Sequence, residues 1–408
     1  MKKDKKVKNQ VEEPVVLDIP EDEIWTYQIE GLAAPHINKP YKFFTLKKII
    51  FTITIIIAVS LSVYFSIRTV QKETFEYESA SQGTYQLSNF SNTGYITELD
   101  IDYVTEVIYD QDNKNPETNF ELVKDETKKI TEVRQYALNG DGVVKVINIG
   151  KDVEKIDGKS FYSCWALERI EVDEENPYYC DIDGVLYNKN KTVLINYPCN
   201  HDNYLREKYG YETEPYREEA DEKYVKEIQT YVVPSTVKEL GELCFSYVNL
   251  RNIYLPEGLE AIGSLAVFKL HEPKDQYSNI ASLDNIYSYK TEKTVKNTVF
   301  TSEEKLGEVY LSLPEGLKII DSDAFSYNQA LTYMYIPESV TFIGHHAFWD
   351  TVYKEDGELK GVAQINVALS EEEFEEKVEQ GDQWKPQYDY LLFKKSIDTV
   401  CSSERKAK

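Results

Sequence analysis

Three stretches of the chain carry the same spacing of apolar positions. Val153, Ile156, Phe161, Leu167 and Ile170 are followed by Val237, Leu240, Phe245, Leu250 and Ile253, and again by Leu317, Ile320, Phe325, Leu331 and Met334. Partial copies stand at Leu259, Ile262 and Val267 and at Val340, Ile343 and Phe348. Neighbouring units start 22 or 23 residues apart. A self-similar period in the twenties predicts a solenoid in which each unit, too small to bury its own apolar edge, stacks on the next. The joints repeat too. Val233-Pro234, Leu255-Pro256, Leu313-Pro314 and Ile336-Pro337 each close a short strand, because proline cannot donate to the next rung of a ladder. Pro256-Glu-Gly-Leu259 and Pro314-Glu-Gly-Leu317 are near copies, with glycine at a tight turn.

A different pattern comes earlier. From Ile49 to Ile67 the chain runs nineteen residues without a charge, bounded by Lys47 and Lys48 on one side and Arg68 on the other. As a helix this segment spans roughly 28 Å, the hydrocarbon thickness of a bilayer. It is too long, and begins too far from the N-terminus, for a cleaved signal peptide. The predicted fold class is therefore α+β, a strand-rich leucine-rich-repeat solenoid preceded by a single transmembrane α-helix. Nine lysines precede the span, while only Arg68 and Lys72 follow it closely, so the N-terminus is expected in the cytoplasm and the C-terminal solenoid outside the cell.

The remaining organisation follows from these two landmarks. Residues 1–48, with four prolines and no sustained periodicity, are expected to form a largely disordered cytoplasmic arm; Ile24–Ile29 is apolar enough to dock a cytoplasmic partner, or the arm carries nothing. Residues 68–91 are read as a stalk, 92–142 as a β-rich N-terminal cap, 143–350 as the solenoid, and 351–408 as a C-terminal cap with a tail. In the last segment Ser370-Glu-Glu-Glu373 has the capping box of a short helix. Two insertions interrupt the repeats, near 200–227 and 271–305. The first carries Tyr204, Tyr209, Tyr211, Tyr216 and Tyr224 among charged residues, and is either a tyrosine-rich contact face or a solvated loop.

The repeat segments Leu313-Pro-Glu-Gly-Leu317-Lys-Ile-Ile-Asp-Ser-Asp-Ala-Phe325 and Ile336-Pro-Glu-Ser-Val340-Thr-Phe-Ile-Gly-His-His-Ala-Phe348 resemble the BspA-type leucine-rich repeats of bacterial surface proteins. The stretch from Ile170 through Asn176-Pro177 and Gly184 to Thr192 looks like that family's hairpin insertion. The resemblance covers roughly 143–200 and 228–350. It implies a curved, strand-rich solenoid with short helical turns, and a role in surface attachment or protein binding. The chain departs from the family pattern in its few repeats, its N-terminal anchor and its two insertions.

Charge narrows the partners. Acidic residues outnumber basic ones 71 to 46, for a net charge of −25, which argues against nucleic acid and against an anionic lipid surface as partners of the main body. The bilayer is met through the single helix alone. Tyrosine is abundant, 32 residues against 16 Phe and 4 Trp, and favours strands and contact surfaces. Catalytic motifs are missing: there is no G-x-S-x-G, Walker loop, H-E-x-x-H or G-x-G-x-x-G. Five histidines are a thin supply, and Asp110–Asn115 lacks the glycine and the twelfth-position glutamate of a calcium loop. No enzyme, cofactor or metal site is expected. The expected function is binding of an extracellular protein or glycan at the cell surface; the alternative is a structural or assembly component of a cell-envelope complex.

One disulfide is open to consideration. Asp183–Tyr187 and Thr192–Tyr197 read as two strands joined by a polar turn. If Tyr187 pairs with Thr192, the same register sets Cys180 opposite Cys199 at bonding distance. The other reading leaves both as reduced, semi-buried thiols.

Overall fold

The structure, a computed structural model, describes residue 57 and residues 74–92, 94–108, 120–212, 221–268, 285–288, 309–328, 331–349, 353–355, 358–360, 364–385 and 391–394. Among these no helix is long and apolar enough to cross a membrane. The segment Ile49–Ile67 lies outside the described residues apart from Ile57, and the arm before it lies outside them altogether.

The described chain opens with β1 (Thr74–Ser79) and β2 (Tyr85–Ser91), an antiparallel hairpin. This corrects the stalk expected over 68–91. Phe75 and Tyr77 alternate with polar neighbours and meet Leu87 and Phe90 across the pair, so the segment has a face to bury; the Phe75 and Phe90 rings lie 4.9 Å apart. Next come β3 (Glu98–Ile101), β4 (Tyr103–Ile108) and the long β5 (Glu121–Val133), which pairs antiparallel with β4 and parallel with β2.

The solenoid ladders then build up. The four-residue strands β3, β6 (Val146–Ile149) and β8 (Arg169–Val172) stack in parallel, with Leu99, Ile147 and Ile170 side by side and buried. β7 (Lys155–Ile156) pairs with the end of β5 on a second ladder. Because β3 is itself a rung, the region 92–142 is part of the repeat array as well as its edge. Further on, Thr230–Val232, Asn252–Leu255, Asn285–Ser288, Val309–Ser312, Leu331–Ile336, Gln364–Val367 and Leu391–Phe393 form one seven-stranded parallel sheet. Two-residue strands at 239–240, 261–262, 319–320, 342–343 and 379–380 form the facing ladder. The second insertion, expected over 271–305, thus contains a rung at Asn285–Ser288, whose Ile-Tyr core matches the Asn252–Leu255 strand beside it. That rung has no counterpart on the facing ladder, where 261–262 pairs directly with 319–320.

The repeated phenylalanines fill equivalent slots, Phe161 in an N-terminal core and Phe245, Phe325 and Phe348 in a C-terminal one. Phe161, Phe245, Phe325 and Phe348 are all buried, and the last two stack face to face at 5.3 Å. Each layer is locked to the next by backbone bonds beside the ring, such as Phe325 N–H to the Ala347 carbonyl (2.8 Å) and Phe245 N–H to the Ala266 carbonyl (2.8 Å). Four residues before Phe348 and before Phe245 the layers approach closely. At Gly344 a side chain would overlap the backbone of Asp321 and Ser322, and at Gly241 it would press on the Leu194 carbonyl.

The apolar interior is divided in two. One core runs from Leu87 to Leu186, the other from Val185 to Trp384. They meet at a three-stranded meander, β9 (Tyr179–Ile182), β10 (Val185–Asn188) and β11 (Val193–Asn196). β10 is buried on both faces: Val185 and Tyr187 belong to the C-terminal core and Leu186 to the N-terminal one, as the period of two demands.

This meander corrects the disulfide register. Tyr187 pairs with Leu194 rather than Thr192, because the Asn188 side chain accepts the amides of Thr192 (2.8 Å) and Val193 (3.0 Å) and removes Thr192 from the ladder. The chain also reverses at Asp183-Gly184, both at positive φ (53° and 82°), so Cys180 pairs with Tyr187 across a tight hairpin. Cys180 therefore sits near the 188–191 turn, its thiol toward the Asn188 carbonyl, while Cys199 lies past the other end of β11 with its thiol on the Ser246 carbonyl. Both are free thiols.

Candidate interaction surface

The first insertion folds into two short helices. α1 (His201–Tyr209) ends at Gly210, whose left-handed φ of 76° lets the last carbonyls be capped. α2 (Glu222–Ile228) starts at Asp221, whose carboxylate accepts the Tyr224 amide at 2.7 Å. Leu205, Tyr224 and Ile228 form a small core between them, with Tyr204 and Tyr211 against it. Of the five tyrosines read as a contact face, Tyr224 is buried, and its ring packs edge-on against Tyr211 at 5.1 Å. Tyr211 donates to Glu227 and Tyr204 to Asp183. Tyr209 is exposed, and Tyr216 lies outside the described residues.

α1 also ties the two cores together. His201 Nδ1 donates to the Glu168 carbonyl (2.8 Å), and Asn203 donates to the Glu168 carboxylate, on the N-terminal side of the joint. Asn249, on the C-terminal side, donates to Asp202 at 2.9 Å. Burial holds the His201 imidazole below its ordinary pKa and raises that of the Asp202 carboxyl. Much of this insertion is therefore a structural plug at the place where β8 and the Thr230–Val232 strand fail to pair.

A second surface feature stands out. Aromatic rings follow one another along the turn edge of the solenoid, from Tyr136 to Tyr162 (6.1 Å), Tyr162 to Tyr247 (5.9 Å), Tyr247 to Phe268 (5.8 Å) and Phe268 to Tyr327 (5.5 Å). Trp165 packs on Tyr247 at 4.4 Å. The hydroxyls of Tyr162 and Tyr247 share a hydrogen bond, carrying the row across the joint between the cores. Tyr136, Trp165 and Tyr327 are exposed at 44%, 46% and 39%, whereas Tyr247 and Phe268 lie buried beneath the row. No sequence pattern flagged this strip, since its members sit outside the ladder. One recurrence does mark it: Tyr247 and Tyr327 each follow a ladder phenylalanine by two residues.

Burial pushes the Cys199 thiol up to about 12 and those of Cys164 and Cys244 well above the usual thiol range. His345 and His346 pack ring on ring, and His346 hydrogen-bonds Gln383. Among the described residues no group of three or more His, Cys, Asp or Glu side chains is placed to hold a metal ion.

The BspA type leucine rich repeat region matches the chain in six copies, over residues 84–181 and 223–355, more than half its length. The chain belongs to the BspA-type leucine-rich-repeat family. The match reaches back to residue 84, well before the first ladder recognised in the sequence, which agrees with β3 being a rung. Among solved structures, the pneumococcal vaccine antigen PcpA is similar at 15% identity, covering 81% of this chain and 88% of that one, with a TM-score of 0.35. A leucine-rich repeat protein from Bacteroides ovatus is similar at 16% identity, covering 79% and 70%, with a TM-score of 0.32. One from Eubacterium ventriosum reaches 22% identity over 52% and 60%, with a TM-score of 0.25. No curated protein matches the chain. The assignment rests on the BspA-type repeats alone.

Proposed function

We propose that this BspA-type chain is a single-pass surface protein whose solenoid stands outside the cell and binds a protein or glycan partner there. Ile49–Ile67 supplies the anchor, and the lysines before it hold the N-terminal arm in the cytoplasm. The observation that carries the reading is the aromatic strip: three exposed rings packed on half-buried Tyr162 and buried Tyr247 and Phe268, on a molecule that is otherwise strongly charged. Rigid, amphipathic rings give contact area at low entropic cost, which is the property of a recognition surface. The apolar stretch Ile24–Ile29 favours a second reading, in which the arm docks a cytoplasmic complex and the solenoid is one part of a cell-envelope assembly.

Protease added to spheroplasts tests the topology directly. Everything beyond about Arg68 should be digested and the N-terminal arm spared. Protection of the C-terminal part overturns the reading. Crosslinking on intact cells then separates the two alternatives: recovery dominated by integral membrane proteins of the same envelope favours assembly.

A further inference from the structure

The strip has a shape that narrows what can lie on it. It is narrow and crosses several repeats, because Tyr136, Tyr162, Tyr247, Phe268 and Tyr327 come from different turns and each contacts the next, with Trp165 packed beside Tyr247. A ligand matching it is long and narrow. The backbone under the strip is already bonded from layer to layer: Tyr136 N–H to the Lys159 carbonyl, Gly140 N–H to Tyr162, Tyr247 N–H to Phe268 and Tyr327 N–H to Trp349. It therefore offers no strand edge to which an extended peptide could add. Two ion pairs lie near its first turns, Lys159 with Glu242 at 2.8 Å and Arg134 with Glu78 at 2.7 Å. In a chain of net charge −25 the rings of the strip are themselves uncharged.

The backbone adds an independent observation. Tyr247 and Tyr327 sit at φ of 58° and 61°, the left-handed region that disfavours side chains, and Gly140 fills the corresponding slot of an earlier turn at φ 75°. The fold accepts glycine there, yet two turns carry tyrosine.

From these features we infer that the strip is a binding track for an uncharged polysaccharide chain lying along the stacking direction of the repeats. The inference rests on the surface-binding reading above and names its ligand class. A pyranose ring presents a flat C–H face to an aromatic ring and hydroxyls at its rim, where the tyrosine hydroxyls can meet them. Exposed Tyr136, Trp165 and Tyr327 supply the platforms; Tyr162, Tyr247 and Phe268 hold them in fixed orientations, so little rotamer freedom is lost on binding.

The test uses the full chain in uncharged-detergent micelles, sedimented with insoluble cellulose, chitin, mannan and a β-1,3-glucan. At least one should retain the protein, equally at low and high salt, because no ion pairs form on binding. Trp165→Ala and Tyr327→Gly should each weaken retention by about tenfold or more. The glycine variant relieves the left-handed backbone, so it removes the ring and keeps the fold, as circular dichroism would verify. Tyr178→Ala, exposed but off the strip, should change nothing. Failure of every polysaccharide to retain the protein overturns the proposal, as does full retention of both strip variants. Loss of retention in Tyr209→Ala alone would also overturn it by moving the contact to the insertion. If the strip variants instead lose a protein crosslinked at the cell surface, the glycan assignment falls and surface binding stands. Protease protection of the solenoid sinks surface binding by itself.

Discussion

Replacing Phe325 by alanine removes a ring from the middle of the column that joins the repeats. The ring is fully buried and lies parallel to Phe348 at 5.3 Å. Deleting a buried phenylalanine costs about 3–5 kcal/mol, the spread reflecting how far the surroundings relax into the cavity. Relaxation is restricted here. The Phe325 amide is held by the Ala347 carbonyl at 2.8 Å, and the Ala324 carbonyl accepts the Val267 amide at 2.9 Å, so the layers above and below are pinned where they stand. The lost ring pair adds to the effect, which places the expectation near the middle of the range, about 4 kcal/mol. With a urea m-value of about 3 kcal/mol/M, the unfolding midpoint followed by circular dichroism should fall by roughly 1.3 M. Lys318→Ala, an exposed residue in the same repeat that meets Glu260 in solvent, should leave the midpoint nearly unchanged. Equal midpoints for the two variants would refute the column as the seam of the solenoid.

The glycines separate close approach from mere turn formation. Gly344→Ala drives a methyl group into the backbone of the neighbouring layer and should destabilise by about 1–3 kcal/mol, whereas Gly258→Ala meets only the flexible end of Lys238 and should be tolerated; equal losses in thermal melts would contradict the packing described. Burial disfavours the charged His201 imidazole, so its folded pKa lies below the ordinary value of 6.5. Its contribution is present above 6.5 and is lost as pH falls toward the depressed value, so the wild-type melting temperature should drop relative to His201→Gln between about pH 7 and pH 5. The raised Asp202 carboxyl acts in the opposite sense at lower pH and is common to both proteins. Parallel melting curves across that window would mean the ring is not buried neutral.

Sequence spacing alone located the repeats and the phenylalanine column, because a ladder asks the same thing of every rung and the answer recurs along the chain. The capping box at Ser370 was equally legible: its hydroxyl meets the Glu373 amide and the Glu373 carboxylate returns to Ser370, a contact spanning one helical turn. The hairpin register is less legible, because two local signals compete. Asp183-Gly184 is a two-residue turn visible in the sequence, whereas the spacing does not show that the Asn188 side chain closes the next turn and takes Thr192 out of the ladder. Only the tertiary structure decided what the tyrosines do. Whether Tyr224 is buried against Leu205 and Ile228, or whether Tyr162 meets Tyr247, 85 positions away, depends on how non-adjacent layers come together. Such pairings leave no period in the chain. Spacing determined which residues share a column, and the stacking of one layer on another decided which aromatic rings were left facing water.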